Sequence, residues 1–158
     1  MRKKAILTAL ALTFLAALHA DVLTGKVVRV SDGDTITVLD QASEQFKIRL
    51  YGIDAPESKQ AFGDVSKKHL GTLLKDGEVR VEWKTKDKYG RILGVVFAGR
   101  TNVNIKMLQD GMAWHYKRFD DSKAFADAEA QAKEKRLGLW RDPNPTPPWE
   151  FRKQHQRK

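Results

Sequence analysis

Two periodicities alternate along the chain from residue 21 onward. Val22 to Val30 is rich in β-branched residues and predicts a first strand. Ser31-Asp32-Gly33-Asp34 carries the Asp-Gly signal of a tight turn, and Thr35 to Leu39 alternates as the return strand. After a polar turn at 40–45, Phe46, Ile48 and Leu50 share one face of a third strand, with Lys47, Arg49 and Tyr51 on the other. Gly52 to Lys59 is a loop containing Pro56. Phe62, Val65, His69, Leu70 and Leu73 then recur at helical spacing, which predicts an amphipathic helix over 60–75, ended by Asp76-Gly77. Val79, Val81 and Trp83 alternate in a fourth strand over 78–84, and a polar turn at 86–91 leads to a fifth over 92–97. A short helix is expected over 102–110 with Asn102 as its cap, and a third over 122–136 with Phe125, Ala128 and Ala132 inward. Four prolines lie between 142 and 148, followed by basic residues to Lys158, which reads as a docked or flexible tail. The order β-β-β-α-β-β-α-α describes an α+β fold, a five-stranded OB-type β-barrel with three helices.

The first twenty residues follow a different pattern. Arg2-Lys3-Lys4 precede a 14-residue stretch, Ala5 to Leu18, that is apolar apart from two threonines. The stretch is shorter than the roughly 20 residues of a membrane span and matches the core of a secretory signal peptide. Cleavage after Ala20 fits, although Leu18 is larger than the residue usually found two positions earlier; an uncleaved N-terminal anchor is the alternative. The expected organisation is therefore a signal peptide at 1–20, a barrel domain at 21–141 and a proline-rich basic tail at 142–158. It implies a periplasmic or secreted protein without stable membrane association once the signal is removed, and a monomer.

Composition narrows the chemistry. The 158 residues carry 29 Lys and Arg against 20 Asp and Glu, a net charge of +9. Losing residues 1–20 removes three of those positive charges and no negative one, leaving +6. That surplus points to a polyanionic partner. There is no cysteine, which excludes disulfides, thiolate zinc sites and cysteine nucleophiles. The four histidines, at 19, 69, 115 and 155, have no helical ligand spacing; His69 and His115 read as ordinary surface or helix residues. Metal chemistry in this chain has to run on carboxylates.

Asp32, Asp34, Asp54 and Glu57 fall near strand ends that a meander can bring together. A hard divalent cation wants oxygen ligands, which such a cluster supplies. Asp residues in turns also cap their own backbone, the preferred reading for Asp32 and Asp40. For Asp34 and Asp54 both readings stay open. Arg49 lies on a solvated face if the sheet is open, and borders the site if the barrel closes. Arg91 starts the fifth strand. Two guanidiniums beside a divalent ion suit phosphodiester displacement, because their forks match phosphate oxygens and offset charge in the transition state. Glu57 can then activate or orient water.

Several stretches together resemble the thermonuclease (staphylococcal nuclease) family. They are Asp32-Gly33-Asp34-Thr35, Phe46-Lys47-Ile48-Arg49-Leu50, Ile53-Asp54-Ala55-Pro56-Glu57 and Asp87-Lys88-Tyr89-Gly90-Arg91. Gly111-Met112-Ala113-Trp114, the segment 128–133 and Gly138-Leu139-Trp140 add to the likeness, which runs from about residue 23 to 141. The resemblance implies an OB barrel and a Ca²⁺-dependent nuclease that hydrolyses DNA and RNA with little sequence specificity and leaves 3′-phosphate ends. It implies Asp34, Asp54 and the Ala55 carbonyl as calcium ligands, Glu57 as the residue that positions and deprotonates water, and Arg49 and Arg91 on the phosphate. It further implies substrate contacts at Lys88 and Tyr89. The family's paired nucleotide-contacting tyrosines correspond here to the stretch Trp114 to Phe119, where Tyr116 is the first candidate and Phe119 the second, with Trp114 read as core. The alternative function is a noncatalytic OB-fold module that only binds nucleic acid.

Overall fold

The computed structural model describes residues 20–155. The expected signal segment 1–19 therefore lies outside the described residues, as do 156–158. The elements run β1 (Asp21–Val30), β2 (Thr35–Leu39), β3 (Gln45–Leu50), β4 (Ile53–Asp54), α1 (Gly63–Leu73), β5 (Glu78–Lys86), β6 (Ile92–Ala98), β7 (Thr101–Asn102), α2 (Val103–Gln109), β8 (Trp114–His115), α3 (Lys123–Glu134) and α4 (Pro148–His155), with a 3₁₀ turn at Gly138–Arg141 before α4.

Four antiparallel pairings and one parallel pairing close the barrel. The strands lie in the order β3-β2-β1-β5-β6, and β3 then pairs with β6 in parallel, with Arg49 opposite Leu93 and Leu50 opposite Gly94. Register shifts between Val27 and Arg29 in β1 and between Trp83 and Thr85 in β5 mark irregularities of the kind that bend a strand enough for closure. The alternation of β2, β3 and β5 sends Ile36, Val38, Ile48, Leu50 and Val81 into the core, where Leu70 of α1, Met107 and Leu108 of α2 and Phe125 of α3 join them. This is the expected α+β barrel.

Three details differ from the sequence-based expectation. The first helix begins at Gly63, after Phe62 has turned into the left-handed region at φ 68°. Its phase is therefore set by Gly63, Ser66 and Leu70, and Val65 is exposed rather than inward. The barrel also carries short β4–β8 and β6–β7 pairings that no local pattern announces. Finally, the tail forms a fourth helix.

Buried Asn104 ties α2 to the site end of the barrel. Its side-chain oxygen accepts from Val96 N at 3.0 Å, and its amide donates to the carbonyls of Tyr51 (2.9 Å) and Gly94 (3.1 Å). This fixes the chain just before the loop carrying Asp54 and Glu57. Asn102 caps α2 as expected, its side chain accepting from Ile105 N.

Candidate active site

The β1–β2 turn sets the first carboxylate. Asp32 Oδ1 accepts from the amide of Asp34 at 3.0 Å, so Asp32 is the turn cap it was read to be. Asp40 likewise accepts from Glu44 N at 2.8 Å. Gly33 is in close approach: a Cβ there would collide with the Ser66 hydroxyl and the Ala55 methyl. Its lack of a side chain lets the turn lie directly on α1 and on the Asp54-Ala55 segment. Asp34 is thereby buried, and its Oδ2 accepts from the amide of Ala55 at 2.7 Å. Its Oδ1 accepts from the Thr35 hydroxyl at 3.1 Å.

Arg49 joins the second carboxylate to the first. Thr35 of β2 faces Arg49 of β3, which places the guanidinium beside Asp34. Nη1 lies 2.8 Å from Asp34 Oδ2 and Nη2 lies 2.8 Å from Asp54 Oδ1. Nη1 also donates to the Ile53 carbonyl at 3.0 Å. Only 13% of the Arg49 side chain is exposed. The closed barrel has decided between the two readings of Arg49, and it borders the site. Asp54 is fully buried, held by the pairing of β4 with β8.

Burial dominates the electrostatics. It pushes the Asp34 carboxyl from its ordinary 3.8 up to about 7, against the pull of Arg49 and with help from the nearby charges of Asp32 and Asp54. A cation placed between two such carboxylates would relieve that cost. The donor set is all oxygen, with the neighbouring Ala55 backbone alongside, and suits a hard ion such as Ca²⁺. Among the described residues no three or more acidic or histidine side chains form a metal-holding group. Asp34 and Asp54 fit such an ion as a pair, completed by backbone and water oxygens.

Glu57 stands at the mouth, with its side chain 39% exposed. Its carbonyl accepts from Gln60 N at 2.8 Å and approaches Gly63 so closely that no Cβ could fit there. Arg91 is not in contact with these acids. Its Nε pairs with Asp87 Oδ2 at 2.7 Å, and Asp87 Oδ1 accepts from the amides of Tyr89 and Arg91. Burial opposes ionisation of Asp87, but these bonds outweigh it and hold its carboxyl below the ordinary value. Arg91 immediately precedes β6, in which Leu93 is the partner of Arg49. Lys88 and Tyr89 form an exposed rim, with the Lys88 ammonium 5.0 Å from the Tyr89 ring centre.

The aromatic wall is enclosed at Trp114, whereas Phe119 is exposed. Trp114 packs edge-on against Trp140 (4.4 Å) and Trp149 (5.6 Å), consistent with its reading as core. Tyr116 meets Phe119 edge-on at 4.9 Å, and its other close ring is Trp149, parallel within 3° at 5.5 Å. His115 corrects the reading of an ordinary surface histidine: it is buried and its Nε2 lies 3.0 Å from both the carbonyl and Oδ1 of Asp120. His69 pairs with Asp110 at 2.7 Å.

Two residues of the site were missed by sequence reasoning, both on α4. Arg152 reaches Asp54 twice, Nη1 to Oδ1 at 3.1 Å and Nη2 to Oδ2 at 2.8 Å, and its Nη1 also reaches Glu57 Oε1 at 2.7 Å. Trp149 covers Tyr116 as described above. A helix signal was present in Pro147-Pro148-Trp149-Glu150, with proline in the first turn, an acid beside it and basic residues at the end. Trp149 and Arg152 are three apart and so share a face.

Comparisons with known proteins show what the chain as a whole is similar to. Residues 47–142 match the model of the staphylococcal nuclease homologue family. An uncharacterized endonuclease of Haemophilus influenzae is 42% identical over 156 residues, 98% of this chain and 88% of the relative. A micrococcal nuclease of Shigella flexneri is 45% identical over 141 residues, 82% of this chain and 80% of its own length. A staphylococcal-like nuclease of Arabidopsis thaliana is 40% identical over 70% of this chain, which matches 34% of that larger protein.

Proposed function

The chain belongs to the staphylococcal nuclease family and is a nuclease, and from that premise we propose a secreted or periplasmic, Ca²⁺-dependent enzyme that cleaves DNA and RNA with little sequence specificity and leaves 3′-phosphate ends. The observation that carries this reading is one buried guanidinium bridging two carboxylates: Arg49 on Asp34 and Asp54. Glu57 is their neighbour, since a single nitrogen of Arg152 reaches both Glu57 and Asp54.

Asp34, Asp54 and the Ala55 carbonyl would hold the cation. When bound, calcium supplies positive charge against the scissile phosphate. Glu57 takes a proton from water, whose oxygen attacks phosphorus, and the bond to the 5′-oxygen breaks. Arg49, anchored by the Ile53 carbonyl, and Arg91, just before β6, offset the charge that builds on the phosphate oxygens. Lys88 and Tyr89 at the rim and Tyr116 at the wall contact the nucleic acid, and stacking on aromatic rings tolerates any base. The +6 charge of residues 21–158 attracts the polyanion.

The deciding experiment digests single- and double-stranded DNA and RNA with the full chain in Ca²⁺, Mg²⁺ or chelator, followed by end-group chemistry. Cleavage with calcium, its loss in chelator and 3′-phosphate products are expected. Binding without cleavage in calcium would instead make the chain a noncatalytic module. N-terminal sequencing of protein recovered from the periplasm or medium tests export, with a start near Asp21 expected. A start at Met1 in a cytoplasmic fraction rejects it.

A further inference from the structure

Resting on the reading of Asp34 and Asp54 as a cation site, we propose that α4 is an intramolecular inhibitor that closes this site and must be expelled when the metal binds. Arg152 covers the acids and Trp149 the aromatic wall, while Pro148 of the same helix is buried.

The hydrogen bonds argue for a plug rather than an extra substrate-binding arginine. Both terminal nitrogens of Arg152 are engaged by carboxylates. Asp54 Oδ1 accepts from Arg49 and from Arg152, and Oδ2 accepts from Arg152 at 2.8 Å. Neither oxygen of Asp54 therefore stands clear of a guanidinium while α4 is seated. Glu57 is paired by the same group at 2.7 Å, so the residue that would handle water is tied up as well. Charge leads to the same conclusion. Three carboxylates face two guanidiniums, and Arg152 supplies one of the positive charges that a dication would otherwise bring.

The second contact covers the other half of the site. Trp149 lies parallel to Tyr116 at 5.5 Å, the arrangement a nucleotide base would adopt on that ring. One short helix thus occupies the acid cluster and the stacking face together.

Its seating is weak enough to be reversed. An eight-residue helix has little stability of its own in water. Outside the site, the described side-chain hydrogen bond holding the tail is Gln60 Nε2 to the Thr146 carbonyl, at 2.6 Å. A cavity of about 210 Å³, lined in part by Pro56, Phe62, Trp114, Leu139 and Phe151, lies between the tail and the loop beneath it. The Arg152 side chain is 34% exposed, so solvent can replace its partners.

Competition of this kind is reciprocal: if Arg152 weakens calcium binding, calcium must loosen α4 to the same extent. The test titrates calcium calorimetrically into the full chain and its Arg152→Ala and Trp149→Ala variants, without nucleic acid. Hydrogen exchange of residues 148–155 is followed with and without calcium. The expected result is about tenfold tighter calcium binding for Arg152→Ala, a smaller gain for Trp149→Ala, which removes no charge, and faster exchange across α4 when calcium is added. Unchanged calcium affinity in both variants, calcium binding that leaves α4 fully protected, or no calcium binding in any form overturns the proposal. So does a loss of nucleic-acid affinity in Arg152→Ala at unchanged calcium affinity, which would make Arg152 a phosphate-binding residue. Cleavage assays on the same samples separate the two ideas. Tighter calcium binding without cleavage rejects the nuclease mechanism and leaves the plug standing, whereas cleavage with unchanged calcium affinity does the reverse.

Discussion

Replacing Asp34 by Asn removes the ionisable group that the fold has made hardest to charge. Burial pushes this carboxyl from 3.8 up to about 7, with Arg49 opposing and Asp32 and Asp54 reinforcing the rise. A carboxyl whose pKa is higher in the folded state holds its proton more tightly there. Below pH 3.8 both states are protonated and the group adds no pH dependence. Between 3.8 and 7 the unfolded chain ionises first, so stability falls as pH rises. Above about 7 both states are ionised and the whole penalty is present, about 4 kcal/mol at 1.36 kcal/mol per pH unit. A neutral amide at this position cannot ionise, so the Asp34→Asn variant loses this slope. It also changes the contacts with Ala55 and Arg49, which adds a constant offset. The slope is therefore the quantity to read. Urea unfolding of both proteins in chelator, from about pH 4.5 to about 8.5, should show the stability difference moving in favour of the variant by about 3 kcal/mol. A difference that stays constant across that range would refute the assignment of a costly buried charge to Asp34.

Calcium affinity should fall as pH drops below about 7, by no more than about tenfold per pH unit, because the cation must then displace the proton of Asp34; calorimetry at about pH 5.5, 6.5 and 7.5 checks this, and a flat affinity contradicts it. Glu57→Gln should abolish cleavage while changing stability by less than about 1 kcal/mol, since the side chain is 39% exposed; full activity in the folded variant would remove Glu57 from the chemistry. Gly33→Ala should cost about 1–3 kcal/mol, because the new methyl meets Ser66 and Ala55, and it should weaken calcium binding by displacing Asp34; unfolding and calcium titration together check both halves.

The alternation of Phe46, Ile48 and Leu50 is a property of six consecutive residues, and it put the right face of β3 into the core. The cap at Asn102 and the inward Phe125, Ala128 and Ala132 are equally local. The first helix shows where such reasoning stops. Counting Phe62 and Val65 into the apolar stripe shifts its phase, whereas the chain enters α1 through a left-handed Phe62 and buries Ser66 against the Met112 carbonyl, 46 residues away, at 2.7 Å. Arg49 shows the same limit within the site. Alternation states only that it is opposite Ile48; which environment that face meets depends on the parallel pairing of β3 with β6, a contact made across more than forty residues.

Arg152 lies furthest beyond local reading, and charge explains why. It is 98 residues from Asp54 and 95 from Glu57, so no spacing rule links them. In composition it is one more basic residue in a chain of surplus +6, counted towards attraction of a polyanion. In the fold it pairs with the acids, as does Arg49. Buried carboxylates demand positive charge nearby, because an unpaired charge in a low-dielectric interior is costly. The strands supply one guanidinium and the tail supplies another, leaving three acids for two arginines. A net-charge count cannot distinguish a guanidinium facing solvent from one already matched inside. The acids that stand out least in this composition therefore decide where two of its arginines go.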